Sequence, residues 1–389
     1  MTAMREGARL AHRFTKLPPP WTSAPVHADG TLMTAQETAD SKAKAWHHYW
    51  AVSGTPDEKD DFDGIDWEAL VQGVDMPVPT PDELRRVGAS FGKYTAIGRD
   101  DVHPKQISSI SDEGMSACIA LVVAMCRIGK VPGGLALLMI VLLPKPDGGT
   151  RPIGIFPSFL RVMARWSRRK ITAAWELAHP RAYWFGEKGK SCEMCTWRQA
   201  IRAEYATETS QSSASAFLDM HKAYEFADHG QLVEQARKHG FNLRLLRFVL
   251  TTYRMTRAVV IAGVATAEVR ASRTIVAGCS HATTLLRLVM MSAVDAAVAA
   301  WPSVHFAVVV DDVQLQSTGE AGLVGRAVSG AVKLVTKLLT RNCHMVVSAP
   351  KFAVVSSGLE MDRELAKDEN LRRARSRTTK NLGVDFAGG

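Results

Sequence analysis

The apolar positions of this 389-residue chain change character near residue 85. Before that point they are sparse. Residues 1–40 carry Pro18, Pro19 and Pro20 and few periodic apolar positions, so loose order is expected there, followed by a short helix over Lys42 to Trp50. Residues 57–68 hold seven acidic side chains and one Lys, the mark of a solvated linker. Thr80, Pro81 and Glu83 then supply a capping box with proline in the first turn, which starts a helix.

Beyond residue 85 helical and extended periods alternate. A helix near 112–128 leads to a strand near 135–143, then to the turn PKPDGGTRP (144–152) and a basic segment, RVMARWSRRK (161–170). SAFLDM (215–220) reads as a strand ending on Asp219, and Asp228 can cap a helix that stops at Gly240. Residues 280–300 form a nearly all-apolar helix, which implies burial on most sides. VHFAVVVDDVQLQ (304–316) reads as a β-hairpin, with a continuous apolar first arm and a second arm alternating Val, Gln, Leu, Gln. A long helix over about 321–341, two short strands (345–348 and 352–356), a basic helix (361–377) and a last strand, NLGVDF (381–386), complete the series. There is no internal repeat or low-complexity tract.

Composition narrows the class. Hydrophobic residues make up 46% and charged residues 22%, ordinary values for a globular chain with a large core and room for two or three domains. The net charge of +9 favours a polyanionic partner such as nucleic acid. The six cysteines show no disulfide framework, so reduced thiols in an intracellular protein, nuclear or cytoplasmic, are expected. Cys192 and Cys195 form one CxxC with no second pair at zinc spacing. The stretches CIALVVAMC (118–126) and LALLMIVLLP (135–144) are too short to span a bilayer, and no membrane partner is expected.

Candidate chemistry lies in three carboxylates. Asp219 ends one expected strand, and Asp311 and Asp312 sit where another turns back on itself. Each feature alone is compatible with a polar turn or a cap. If the two strands are neighbours in one sheet, the carboxylates converge at one edge. Such a set, with no Cys or His beside it, suits a hard cation such as Mg2+. Two such ions can activate an attacking hydroxyl and stabilise a leaving phosphate.

The order of these motifs resembles that of reverse transcriptases, most like those of non-LTR (LINE-type) retroelements, over about residues 90–386. GRDDVHP (98–104) is similar to the family's Gly-x-Asp-x-x-x-Pro, and LLPKPDGGTRPIGI (142–155) to its fingers hairpin. FGEKGKSC (185–192) resembles Phe-Gly-x-x-x-x-x-Ser/Thr, and DMHKAY (219–224) resembles Asp-x-x-x-Ala-Phe/Tyr. VAGCSHATTLL (276–286) occupies the place of Pro-Gln-Gly-x-x-x-Ser-Pro, and VVDD (309–312) that of Tyr/Phe-x-Asp-Asp. Lys351 matches the Lys after the long helix, and NLGV (381–384) the primer-grip turn. Two positions depart: Ala277 stands where the family usually has Gln, and Val309 where an aromatic usually precedes the Asp pair.

The resemblance implies an α+β fold of right-hand polymerase type, its palm an antiparallel ferredoxin/RRM-like sheet packed on helices. Fingers would cover 86–205 and palm 206–389, with fingers-contributed segments near 225–275. Residues 1–85 would be an extension, and the thumb, which follows the palm in the family, is expected to be absent. The implied reaction joins dNTPs to a DNA primer on an RNA template. Two Mg2+ ions, with Mn2+ as a substitute, would be held by Asp219, Asp311 and Asp312. Lys351 would assist the leaving pyrophosphate, and Lys145 and Arg151 would contact the triphosphate. Tyr224 would be the steric gate against a ribose 2′-hydroxyl. Ala277 and Gly278 would line the nucleotide site. Arg161, Arg165, Arg168, Arg169 and Lys170, unbalanced by local acids, would follow the template phosphates. Leu382 and Gly383 would hold the primer. Two other functions fit part of the pattern. An RNA-dependent RNA polymerase shares the palm, but usually has a second Asp soon after the first and no aromatic gate. A catalytically decayed remnant that binds RNA would tolerate Ala277 and Val309.

Overall fold

The computed structural model describes residues 25–50, 64–145, 149–187, 189–382 and 384–387. Part of the acidic run, the tip of the 144–152 turn and Gly383 lie outside the described residues. The helices are α1 (Ala35–Trp50), α2 (Trp67–Val71), α3 (Pro81–Ala89), α4 (Asp112–Ile128), α5 (Ser158–Ser167), α6 (Ala173–Ala178), α7 (Cys192–Glu208), α8 (His229–Lys238), α9 (Leu243–Tyr253), α10 (Ala282–Ala300), α11 (Ala321–Cys343), α12 (Leu359–Leu365) and α13 (Glu369–Ala374). A π-helical turn, Arg168–Thr172, joins α5 to α6. Side-chain caps fix many of the starts. Thr80 and Glu83 close the expected capping box of α3. Asp228 caps α8, and Ser191, the Ser of the FGEKGKSC segment, caps α7.

Strands β1 (Leu137–Pro144), β2 (Thr150–Ile155), β6 (Thr256–Ile261) and β7 (Val264–Ala265) form one sheet in the order β2-β1-β6-β7. β1 pairs antiparallel with β2 and parallel with β6. Parallel strands are stable where both faces are covered, and α1 packs on β6 and β7.

The second sheet has the order β11-β4-β9-β8-β3, from β11 (Ala353–Ser356), β4 (Ser212–Leu218), β9 (Asp312–Gly319), β8 (His305–Val309) and β3 (Trp184–Phe185). The expected 304–316 hairpin is β8–β9. β3 joins β8 in parallel, so the sheet expected to be antiparallel has one parallel edge pair. Period-2 alternation sends Ala214, Ala216, Leu218, Val313 and Leu315 into the main core, while Phe217 packs with Ala203 of α7 on the other face. α10 is long and apolar enough to cross a membrane by composition. Here it is a core helix, with Leu285, Leu286, Leu288 and Met290 fully buried.

Three local expectations need correction. The first helix starts at Ala35, seven residues before the expected Lys42. The basic helix expected over 361–377 is two, because Asp368 turns out of the helix to cap α13 and to meet Ser329 and Lys333 of α11. The last expected strand is a hairpin, β12 (Thr378–Asn381) and β13 (Val384–Ala387), whose turn is the NLGV segment itself.

Candidate active site

β4 and β9 are antiparallel neighbours with Leu218 opposite Val313. Asp219, the next residue on one side, therefore lies at the same sheet edge as Asp312 and Asp311. The β8–β9 turn closes with Val309 opposite Asp312 and Val310 at φ +61°. That backbone is costly for a β-branched residue, and here packing against the core holds it.

The carboxylates feel one another. Burial, then the charges of Asp311 and Asp219, push Asp312 up to about 7. Burial foremost, and Asp219 after it, raise Asp311 as well. Lys351 and Arg151 oppose both shifts, so two cations face the cluster. Lys351 Nζ lies 2.8 Å from Asp219 Oδ2, a bond that holds its ammonium above the usual lysine range. Among the described residues no three His, Cys, Asp or Glu side chains stand close enough together to hold a metal as they are. The donor chemistry nonetheless fits a hard cation: carboxylates at one sheet edge whose charges help to raise Asp311 and Asp312, a repulsion that a divalent ion would relieve.

Tyr224 lies in the loop after β5 (Met220–His221), close to this edge. Its hydroxyl is raised by burial first and by Asp311 next. The loop is tied by backbone bonds, from Ile275 N to Tyr224 O at 2.8 Å and from Thr274 N to Ala227 O at 2.9 Å. Lys145 starts the β1–β2 turn and its charge is felt by Glu225.

Ala277 and Gly278 cross β2. The Ala277 carbonyl accepts from Gly154 N at 2.7 Å, and a Cβ at Gly278 would stand 2.5 Å from the Gly154 carbonyl oxygen. The close approach that Gly278 permits in this structure is therefore to β2 of the chain itself. Just beyond, the imidazole of His281 is fully buried between the Ser167 and Thr172 hydroxyls, each at 3.0 Å. The GRDDVHP segment has an equally local reason. Gly98 lets the chain pass the Phe156 carbonyl, and Asp100 accepts from Ser158 N at 2.6 Å at the start of α5.

The basic run divides. Arg168 pairs with Glu176 at 2.7 Å and Lys170 with Glu83 at 3.1 Å, so acids outside the run, one of them 87 residues away, balance two of its five charges. Arg161, Arg165 and Arg169 follow one face and gather on residues 90–96. Arg165 lies 3.4 Å from the Phe91 ring centre, Arg161 bonds the Ala96 carbonyl, and Arg169 reaches the Ser90 hydroxyl. Phe91, Arg161 and Arg165 line a groove with Gly278 and Ser280. Leu382 packs on Phe185, Cys195 and Val309 beneath the Asp turn.

Sequence reasoning missed two groups. Glu225 and Arg257 are both buried and face each other beside Thr274 and Ala277. Trp46, Tyr49 and Trp50 of α1 reach the same region. The i, i+3, i+4 spacing of those rings was visible as an aromatic helix stripe; its destination was not.

With this geometry established, comparison with protein families places residues 143–386 in the family described as reverse transcriptase (RNA-dependent DNA polymerase). The match covers more than half of the 389 residues, and the chain belongs to that family. The class is that of RNA-directed DNA polymerases, nucleotidyltransferases that act on template, primer and dNTPs and use divalent ions such as Mg2+. No curated protein matches the chain.

Proposed function

We propose that the chain is the polymerase core of a non-LTR (LINE-type) retroelement reverse transcriptase. The sheet β2-β1-β6-β7 serves as fingers and the sheet β11-β4-β9-β8-β3 as palm, and the product is DNA copied from RNA. The observation that carries this reading is the placement of Asp219, Asp311 and Asp312 at one sheet edge, within electrostatic reach of one another and of Lys351 and Arg151.

In this reading Asp219 and Asp311 hold two divalent ions, with Asp312 as a further ligand or support. Bound there, the ions supply charge neutralisation for the attacking 3′-hydroxyl and the leaving phosphate. The chain's own work is positioning. Arg151 offers its fork, and Lys145 a point charge, to the triphosphate. Lys351 stands ready beside Asp219 to meet charge developing on pyrophosphate. Tyr224 closes the space where a 2′-hydroxyl would sit. Arg161, Arg165 and Arg169 give unpaired template phosphates a row of cations.

Primer extension on an RNA template with Mg2+ and dNTPs tests the reading. Extension by the parent chain and none by Asp311→Asn is the expected result. A folded parent that extends nothing, or that prefers rNTPs, overturns it.

A further inference from the structure

The family match begins at residue 143, so helix α1 lies outside it. Yet α1 touches the nucleotide site from three sides. Trp46 Nε1 donates to the Thr150 hydroxyl at 3.3 Å, one residue before Arg151. Lys222 Nζ stands 3.9 Å from the centre of the Trp46 ring and 5.6 Å from that of Tyr49. Tyr49 also meets Phe226 edge-on, with ring centres 5.9 Å apart. Lys222 and Phe226 bracket Tyr224.

The end of α1 grips the third side. The Tyr49 carbonyl accepts from Arg273 Nε at 2.9 Å, and the Trp50 carbonyl from Ser272 N at 3.0 Å. Those two residues lead into Thr274 and Ile275, whose amides hold the Tyr224 loop. Trp50 also faces the buried Arg257 guanidinium at 5.1 Å, and that guanidinium bonds the Thr274 hydroxyl at 2.8 Å.

Two backbone facts show that the grip is needed. Lys222 has φ +51° and Thr274 φ +108°, conformations that non-glycine residues rarely adopt. Such residues persist where their surroundings over-determine them. Around Lys222 and Thr274 those surroundings include the aromatic side chains and last carbonyls of α1.

We propose that helix Ala35–Trp50 is a positioning element of the nucleotide site: by fixing the 219–227 loop through Trp46, Tyr49 and Trp50, it sets the discrimination of deoxyribonucleotides from ribonucleotides at Tyr224. The proposal rests on the reading of Tyr224 as the sugar gate. A helix that merely covered β6 and β7 would have no reason to contact the loop on both sides of that residue.

The test uses the full chain and measures the kcat/KM ratio for one dNTP over its rNTP. Trp46→Leu removes the ring under Lys222, and Lys222→Met keeps the stem but removes the charge. Both variants are expected to lower the ratio, Trp46→Leu by about tenfold, while dNTP turnover falls less. In a Tyr224→Ala background Trp46→Leu should lower the ratio no further, because both act through one ring. If Tyr224→Ala itself leaves the ratio unchanged, the gate reading fails. If Tyr224→Ala collapses the ratio but folded Trp46→Leu and Lys222→Met keep that of the parent, the positioning role of α1 is overturned. Should Trp46→Leu not fold, Lys222→Met decides alone.

Discussion

Lys351 is bound to Asp219, 2.8 Å from ammonium to carboxylate, although 132 residues separate them in the chain. The pair connects the segment after α11 to the end of β4. Lys351 is more than half exposed, so the pair contributes less than about 1 kcal/mol to stability. Lys351→Ala should therefore leave the melting temperature within a few degrees of the parent while single-turnover extension slows by about a hundredfold. Equal losses in both measurements would mark the pair as structural.

Asp312 bears the strain of the cluster. In chelator at neutral pH its charge is opposed by burial and by two neighbouring carboxylates. Asp312→Asn should then unfold at a higher temperature than the parent by about 1–2 kcal/mol of added stability. Mg2+ should raise the parent's melting temperature and raise that of the variant less. A calorimetric series with and without EDTA reads both effects.

Two fully buried histidines steepen the acid limb. Burial pushes His281 down to about 3 and His229 down to about 4. Below the unfolded value near 6.5, the unfolded chain takes up protons that the fold refuses, so stability falls as pH drops from about 6.5 towards 4. Above that window the two groups contribute no pH dependence. Each should add about 1.4 kcal/mol per pH unit to the slope. Urea titrations between about pH 7 and 4.5 should show His281→Gln losing less stability with acid than the parent, by about 1.4 kcal/mol per pH unit, while Asp312, raised to about 7, acts in the opposite sense in both.

Gly278 packs directly on Gly154 of β2. Gly278→Ala puts its Cβ 2.5 Å from the Gly154 carbonyl oxygen, backbone that no rotamer change relieves, at a φ of +104°. It should destabilise the fold by about 2–4 kcal/mol. Gly154→Ala meets the Val276 side chain rather than backbone and needs no positive φ, and should be milder. Denaturant midpoints of the two variants should rank in that order.

What could be read from the sequence was what local physics decides. The β8–β9 hairpin showed itself because an uninterrupted apolar arm and an alternating arm flank two acids. Thr80, Asp228 and Ser191 act as caps within three residues of themselves, and the first two were readable for that reason. The balance of the basic run was hidden because Glu83 lies 87 residues from Lys170. The break at Asp368 was hidden because its partners, Ser329 and Lys333, belong to another helix. The meeting of Glu225 with Arg257, and the reach of α1, depend on how the sheets stack, which no window of sequence contains.

The strand pairings also interleave along the chain. β1 must wait for β6, more than a hundred residues later, and β4, made between them, must wait for β9. Each sheet thus has its completing partner on the far side of a segment owned by the other. The first sheet has all its strands by residue 265, whereas the second waits for β11, which ends at residue 356. During synthesis, the edge of β1 stands open until the ribosome has passed residue 261 and that of β4 until it has passed residue 319, long exposures for apolar strands. Chains stalled between residues 218 and 319 should aggregate through the unpaired edge of β4.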